Sequence, residues 1–303
     1  MGRPLLERLA RTALVLLGAS LLLFALTLAI PGNPAQVLLG PRATPEAISA
    51  FTHAMGLDQP LPVRLGRFLG HLLSGDLGTD VVSGRPVRDM VLEVLPATLL
   101  LAAAAIGLAV ALGVPLGCYA ATHPGGVIDQ ALAIVSVSVI AVPSFVVALL
   151  LLLVFSAGLH WLPVIGGGAS GLLLPALSLA LGWIGYIARL LRASLLEVLG
   201  ADHVRTLDAY GVPRRRIVLR FALRLAAVPV LAVLGVGIGR LLGGAVLVEI
   251  VFARPGLGTL VFDAIGNRDY PVVQGSVLVV VVMFTLANLA VDLLLLRLDP
   301  RAT

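Results

Sequence analysis

The sequence predicts an all-α membrane protein with six transmembrane helices and a small extracytoplasmic segment after the first helix. Of its 303 residues, 59% are hydrophobic and only 12% are charged, whereas soluble domains have about 25% charged residues. The mean hydropathy is +1.07. Six runs approach or exceed the roughly 20 apolar residues that a helix needs to cross a bilayer. They are 12–30, 94–122, 130–159, 161–188, 225–248 and 272–296.

The first run follows Arg3, Arg8 and Arg11 and extends for 19 residues. A signal peptide has an apolar core of roughly 7–15 residues, so we expect a retained first span and assign residues 1–30 to the N-terminus and that span. Residues 31–95 are mostly polar and form the extracytoplasmic segment. Thr44 as a cap and Pro45 in the first turn predict a helix ending near Gly56.

A second short helix is expected over 63–73, followed by a turn at 75–80 (GDLGTD). Residues 96–303 then form the core with the remaining five spans. Pro143 lies inside the third span and predicts a kink there, which serves either packing or gating. In the fourth run a glycine-rich loop at 166–168 precedes a helix that begins near Leu172. A second external turn occupies 252–271.

A polar stretch at 194–224 interrupts the apolar runs and carries six Arg. It predicts a short helix over 202–210. One face holds apolar residues at a spacing of three, namely Ala201, Val204, Leu207 and Tyr210. Another face holds Asp202, Arg205 and Asp208.

The end of this short helix is also marked in the sequence. Gly211 permits a left-handed exit and Pro213 prevents continuation. Arg214, Arg215 and Arg216 follow directly. The pattern predicts a surface helix with a sharp stop between two spans, and it equally fits an ordinary basic cytoplasmic loop.

The distribution of Arg predicts the orientation. Six spans place both termini on one side of the membrane, together with the stretch 194–224. That side has 13 Arg and the other has seven, which are offset by acidic residues. Because cytoplasmic loops carry the excess of positive charge, we expect both termini and the polar stretch in the cytoplasm, and residues 31–95 outside.

Arg240 is the remaining Arg, and it lies within the fifth run. A central Arg costs roughly 2.5–3.5 kcal/mol on insertion scales, so it should face protein or water. It either lines a polar pathway, where it would hold an acidic group such as a substrate carboxylate, or it snorkels or pairs with Asp292 or Glu249. We expect Glu249 at the membrane interface. Ser178 and Asn288 would add hydrogen bonds to a pathway or join helices.

Composition excludes several chemistries. The chain contains no Lys, which removes a P-loop lysine and a Schiff-base lysine. One Cys and five scattered His predict no metal site and no intrachain disulfide. The charge of +5 is explained by membrane topology, so no nucleic-acid partner is expected. The sequence therefore indicates a chain that is not an enzyme, and energy must come from another chain or from an ion gradient.

Several motifs occur together along nearly the whole chain. The polar stretch resembles the cytoplasmic "EAA" loop of ABC importer permeases. More specifically, the chain resembles the first permease subunit of dipeptide, oligopeptide and nickel importers. The matching segments are PGNPA (31–35), GLDQPLP (56–62), GDLG (75–78), LPATLLLA (95–102), VPSF (142–145), LLPALSLALG (173–182), LLGGAVLVEIVFARPGLG (241–258), NRDYPVVQG (267–275), NLAVDLL (288–294) and the terminal LDPR.

The resemblance implies a type I ABC importer permease fold and a set of partners in the bacterial cytoplasmic membrane. These are a second homologous permease, two ABC ATPase subunits and an extracytoplasmic substrate-binding protein. ATP and Mg would be bound by the ATPase subunits, with no cofactor on this chain. The external loops 31–95 and 252–271 would meet the binding protein or pack as a lid over the spans.

The resemblance also implies that the short helix docks into an ATPase subunit. The coupling residues would be Asp202, Val204, Arg205, Leu207, Asp208, Tyr210, Gly211, Arg214 and Arg215. The chain departs from the family pattern here, because Arg205, Thr206 and Leu207 stand where Glu-Ala-Ala would be. The contact made by that Glu is therefore not carried over.

Two alternatives to peptide import stay open. The same scaffold would serve another cargo, such as a nickel chelate, haem or a glutathione-like compound. A stand-alone gradient-driven transporter is suggested by Arg240 and Asp292, but the sequence shows no repeated halves to support it.

Overall fold

The computed structural model describes residues 2–29, 43–54, 56, 58–162 and 168–298. These residues form two compact units, Met1–Pro96 with Pro255–Leu286, and Ala97–Arg254 with Ala287–Thr303. Helices dominate both, as the sequence predicts. In chain order they are α1 Gly2–Ala29, α2 Pro45–Ala54, α3 Leu61–Leu73, α4 Val87–Thr122, α5 Val127–Ala141, α6 Ser144–Leu151, α7 Gly168–Gly200, α8 Asp202–Ala209, α9 Arg214–Arg216, α10 Leu223–Val251, α11 Leu257–Gly266 and α12 Tyr270–Leu298.

Five helical segments of the described residues are long and apolar enough to cross a membrane. They are Arg8–Leu26, Val87–Thr122, Gly171–Gly200, Arg214–Gly235 and Tyr270–Val291. The third predicted span differs from these because it is broken. α5 ends at Ala141, and Pro143 takes an extended conformation (φ −58°, ψ 141°) as the residue that caps α6. The predicted kink is therefore an interruption between two shorter apolar helices, and α6 continues into a π-helical turn, Leu152–Gly158.

The first unit contains the predicted short helices. α2 begins at Pro45, as its turn chemistry predicts. α3 begins two residues earlier than predicted, because Pro60 caps it and a second Pro is tolerated in its first turn. The turn at 75–80 is confirmed by positive φ at Gly75 and Gly78. The hydrophobic core of the first unit contains Val87, Val91, Leu257, Ala264 and Val272.

Two carboxylates connect distant segments of this first unit. Asp269 is 2% exposed and accepts hydrogen bonds from the backbone N–H groups of Val81 (2.9 Å) and Val272 (3.1 Å). Burial raises the pKa of Asp269 to about 6, and its hydrogen bond with Asp80 adds to the rise. The same hydrogen bond holds the pKa of Asp80 well below its usual range. One proton is therefore shared between them in mildly acidic solution.

The second unit is built around α7, which extends 12 residues beyond the predicted run and so includes the first part of the stretch 194–224. Arg192 lies in this extension and donates a hydrogen bond to Asp129 at the start of α5 (2.7 Å). This charge-assisted hydrogen bond joins α7 to the start of α5. The glycine-rich loop lies mostly outside the described residues, and its last member, Gly168, already begins α7.

Glycines let the helices of the second unit approach closely. A Cβ added at Gly117 would lie 2.7 Å from the carbonyl oxygen of Ala188, and one added at Gly185 would lie 2.9 Å from the Cα of Ser136. Small residues at such contacts are the usual means of packing membrane helices. The surrounding core has two clusters, one centred on Ile187, Leu191, Leu195 and Ile184, the other on Leu101, Leu174, Leu241 and Val248.

Candidate functional site

The short helix predicted over 202–210 is present as α8, with Tyr210 as its C-terminal cap residue. It ends in a Schellman motif. The Gly211 N–H donates to the Asp208 carbonyl (2.9 Å), and the Val212 N–H donates to the Leu207 carbonyl (3.1 Å). Gly211 has φ +74°, the left-handed conformation predicted from the sequence. The helix therefore has a defined end and a defined direction for the chain that leaves it.

The apolar face of α8 is divided between the chain's own interior and solvent. Val204 is only 1% exposed, whereas Tyr210 is 82% exposed. Leu207 is half-buried. α8 packs against α7 and against the π-helix Ile217–Ala222 that precedes α10. Val204 is therefore packed within its own chain, and its predicted contact with an ATPase subunit stays a prediction.

The acidic residues of α8 form ion pairs, one within α8 and one with α9. Arg205 lies 3.1 Å from Asp202, and Arg214 lies 3.2 Å from Asp208. All four side chains are solvent-exposed, so each pair contributes at most about 1 kcal/mol. Arg215 and Arg216 are also exposed, and no acidic partner for them is found among the described residues. The exposed surface thus combines one aromatic ring with two free guanidinium groups.

A cavity of about 550 Å³ lies within the second unit, between α6, α7 and α10. Arg240 and Ser178 line it, which brings together two of the three residues predicted for a pathway. Asn288 is not among the lining residues. The other lining residues are Val142, Ser144, Val147, Leu179, Gly182, Trp183, Tyr186, Ala232, Val233 and Gly237.

Two aromatic residues of this cavity were not singled out by the sequence analysis. Trp183 and Tyr186 lie three residues apart on α7, with ring centroids 5.9 Å apart in an edge-to-face arrangement. Residues 178, 182 and 186 recur every four positions, which places them on one face of the helix. This spacing of four could have indicated a shared helix face from the sequence alone. No sequence pattern indicates that Gly237 on α10 faces it.

Glu249, for which the sequence predicts a place at the membrane interface, is buried among other helices. It is 1% exposed, and its carboxylate accepts a hydrogen bond from the Thr98 hydroxyl at 2.6 Å. The contact joins α4 to α10 across 151 residues of sequence. A buried acid is retained only where such donors satisfy it, so Glu249 belongs to the packing of the second unit.

Among the described residues, no group of three or more His, Cys, Asp or Glu side chains is placed to hold a metal ion. The buried acidic residues of the first unit, Asp80 and Asp269, form a pair of only two carboxylates. The second unit therefore offers two features, the exposed end of α8 and a cavity whose lining includes one charged residue, Arg240.

Comparison with known proteins covers nearly the whole chain. The family model "Binding-protein-dependent transport system inner membrane component" matches residues 113–303. The model for the N-terminal part of the same components matches residues 1–102.

Three relatives match over nearly their full length. A probable peptide ABC transporter permease protein of Sinorhizobium fredii is 37% identical, with 99% of each chain covered. A glutathione transport system permease protein of Salmonella paratyphi A is 38% identical, with 97% of each chain covered. A dipeptide transport system permease protein of Alkalihalophilus pseudofirmus is 35% identical, with 98% of each chain covered.

Proposed function

Because the chain belongs to the binding-protein-dependent transport system inner membrane components, we propose that it is the permease subunit of an ATP-driven importer of di- and oligopeptides. It is a multi-pass membrane protein of the type I ABC permease fold. The peptide cargo is supported by relatives named for peptide, dipeptide and glutathione transport, since glutathione is itself a tripeptide. The chain forms half of the translocation pathway, and a second homologous permease forms the other half.

The observation that carries this proposal is the exposed end of α8. Its buried Val204 anchors it to the chain, and its exposed Tyr210 is available to a partner. Tyr210 is followed in the sequence by the exposed Arg214, Arg215 and Arg216, and Tyr and Arg are residue types enriched among interface hot spots. We assign the partner as an ATPase subunit that holds ATP and Mg, while this permease chain itself is non-catalytic.

Coupling follows from the contacts of α8 within the second unit. It packs on the end of α7 and on the π-helix leading into α10. A partner that pulls α8 when ATP binds will therefore move α7 and α10 together. These two helices also supply most of the cavity wall, so the movement changes access to the cavity as rigid-body alternating access requires.

The orientation follows from the 13 Arg on the side of α8 and the seven on the other side. Under the positive-inside rule α8 and both termini are cytoplasmic. The protein resides in the bacterial cytoplasmic membrane, and segments 31–95 and 252–271 are the surfaces offered to a substrate-binding protein outside.

Reconstitution tests this proposal. The complete importer in liposomes, supplied with its binding protein, is expected to accumulate radiolabelled dialanine only when ATP is present inside with the ATPase subunits. Accumulation by the two permeases alone under an ion gradient would contradict it and favour the stand-alone transporter. ATP-dependent accumulation of haem or a nickel chelate in place of dialanine would contradict the cargo.

Glutathione is the second candidate cargo, because one relative that matches over 97% of both chains is named for it. Competition distinguishes the two. With both at saturating, equal concentrations, unlabelled glutathione will halve dialanine uptake if the importer handles both with similar affinity. No competition together with strong dialanine uptake excludes glutathione.

A further inference from the structure

The cavity between α6, α7 and α10 has the size of a small-molecule site. Its volume of about 550 Å³ falls within the roughly 300–1,000 Å³ of ligand pockets. Most of the wall is apolar or small. Ser144 and Ser178 are the hydroxyl-bearing lining residues apart from Tyr186. The Ser178 hydroxyl donates to the Pro175 carbonyl at 2.7 Å, so this oxygen retains only acceptor capacity toward a ligand.

Arg240 is the single charged residue in this lining. It lies 11 residues before the end of α10, Leu223–Val251, which corresponds to a depth of about 16 Å along the helix. Among the described side chains no carboxylate lies within ion-pair distance of it. Glu249, a candidate partner from the sequence, bonds instead to Thr98. The side chain of Asp292, the other candidate partner, is outside the described side chains. Among the described side chains none occupies the guanidinium, so it can bind an anionic group that enters the cavity.

The aromatic wall stands beside this cation. Gly237 precedes Arg240 by three residues and so shares its face of α10. A Cβ added at Gly237 would lie 2.0 Å from the Cη2 atom of Trp183, which means that the indole of Trp183 rests directly on the α10 backbone. Tyr186 meets Trp183 edge to face. The cavity thus offers an anion-binding group and two aromatic rings, whose faces attract cations.

We propose that this cavity binds the two charged ends of a short peptide during passage, with Arg240 on the terminal carboxylate and the rings of Trp183 and Tyr186 on the terminal ammonium. The planar guanidinium matches a carboxylate with two parallel hydrogen bonds. The small residues Gly182, Ser144 and Ser178 leave room for different side chains. The site would bind the terminal carboxylate and the terminal ammonium, which all unmodified peptides have. This inference rests on the proposed function.

Direct binding tests it, using the complete importer in lipid nanodiscs without its binding protein. Saturation-transfer NMR titrations suit weak ligands, and three probes separate the contacts: dialanine, dialanine amide and N-acetyl-dialanine. Wild-type importer is expected to bind dialanine roughly tenfold or more tightly than the amide, the scale of a hydrogen bond to a charged group. Arg240→Gln removes this preference, and Arg240→Lys keeps part of it.

Two further variants separate the ends of the ligand. Gly237→Ala displaces the indole of Trp183, so it should weaken dialanine and its amide alike while sparing N-acetyl-dialanine, which has no ammonium. Arg224→Gln is the matched control, because Arg224 is exposed on the same helix and lies outside the cavity lining. It should leave all three affinities unchanged. Co-purification of the other subunits shows whether each variant has folded and assembled.

Contrary results are distinct from failure of the proposed function. If wild-type importer accumulates dialanine but binds dialanine and its amide equally, the carboxylate site is wrong and the function stands. The same conclusion follows if Arg240→Gln lowers both affinities equally, or if it releases the second permease, which would identify an acid of that subunit as the true partner. If the wild type imports no peptide, the function fails together with this site.

Discussion

The surface at α8 and the cavity at Arg240 both contain Arg, but they use it differently. At α8, Arg205 and Arg214 are paired with neighbouring acids at 3.1 and 3.2 Å. In the cavity, Arg240 is the only charged lining residue and has no described acid as a partner. Because these charges near α8 are paired, the exposed Tyr210 is the residue we propose for docking. Among the described side chains, Arg240 has no acidic partner, so we propose that it is available to a ligand.

The largest effect is expected from the end of α8. Gly211→Val places a β-branched residue at φ +74°, where a left-handed conformation costs about 1–2 kcal/mol. The Schellman motif would be lost and Tyr210 would be re-aimed, so ATP-driven uptake should fall by roughly tenfold or more. Gly200→Ala is the control, since the added Cβ also meets nothing within 4 Å and no positive φ is required there. Equal uptake by the two variants would show that the exit geometry of α8 is irrelevant to coupling.

The next prediction separates the two apolar residues of α8. Val204→Ala opens a cavity in a buried site and should lower stability by roughly 1–3 kcal/mol, detected as a lower Tm of the purified chain. Tyr210→Ala should leave Tm unchanged, because the ring is 82% exposed.

Binding should show the opposite pattern. Tyr210→Ala is expected to weaken association with the ATPase subunits by about 2 kcal/mol or more, as for an interface hot spot. Surface plasmon resonance on nanodisc-held permease measures this. If Val204→Ala weakens ATPase association while Tyr210→Ala leaves it intact, Tyr210 is not the docking residue.

A smaller effect is expected from pH on the first unit. The folded pKa of Asp269 is raised to about 6 from 3.8, so the folded state holds this proton more tightly than the unfolded chain. The resulting stabilisation is present below about pH 4 and is lost as pH rises through about 6. Asp80 has the opposite effect on the pH dependence of stability, because its pKa is lowered in the folded state. Its contribution to folding stability is present above about pH 4 and is lost in stronger acid.

The thermal midpoint of wild-type protein should therefore fall between pH 5 and pH 7.5. Asp269→Asn keeps a donor toward Asp80 but cannot titrate, so its midpoint should change less over the same interval. Asp263→Asn is a suitable control, since Asp263 is exposed on the neighbouring helix α11. An unchanged pH dependence in Asp269→Asn would rule out the shared proton.

The smallest effect is expected from the paired charges at α8. Asp208→Asn removes the partner of Arg214, but both side chains are about half exposed. Stability should change by less than about 1 kcal/mol, and uptake should stay within about twofold of wild type, a free-energy difference of roughly 0.4 kcal/mol. Chemical denaturation and uptake assays measure the two. A loss of uptake comparable to that of Gly211→Val would show that the paired charges themselves contact the ATPase.

Local chemistry explains which parts of the structure could be predicted from the sequence. Pro45 at the start of α2, the short helix α8 and the left-handed Gly211 depend on neighbouring residues, and each is confirmed. The apolar runs likewise predict the long helices, because span length follows from bilayer thickness. The sequence predicts a kink at Pro143, and the structure has a complete interruption between two helices at that position. A Pro predicts the loss of a helix hydrogen bond but does not specify whether the helix bends or ends.

The remaining features depend on contacts between distant residues. Glu249 is buried because Thr98 reaches it from α4, and Val204 is buried because α7 and the π-helix lie against it. Gly237 acquires its role only where Trp183 rests on it. All of these partners are distant in the sequence. Periodicity can therefore indicate the buried face of a helix, but it cannot identify the residues that pack against that face.

The most direct test of coupling through α8 is site-specific photo-crosslinking in native membranes. A benzoylphenylalanine residue placed at Tyr210 is expected to crosslink to an ATPase subunit, and one placed at exposed Trp161, which lies outside α8, is expected to give no such product. Crosslinks from Tyr210 to lipid alone, or to the extracytoplasmic binding protein, would contradict both the docking role of α8 and its cytoplasmic orientation.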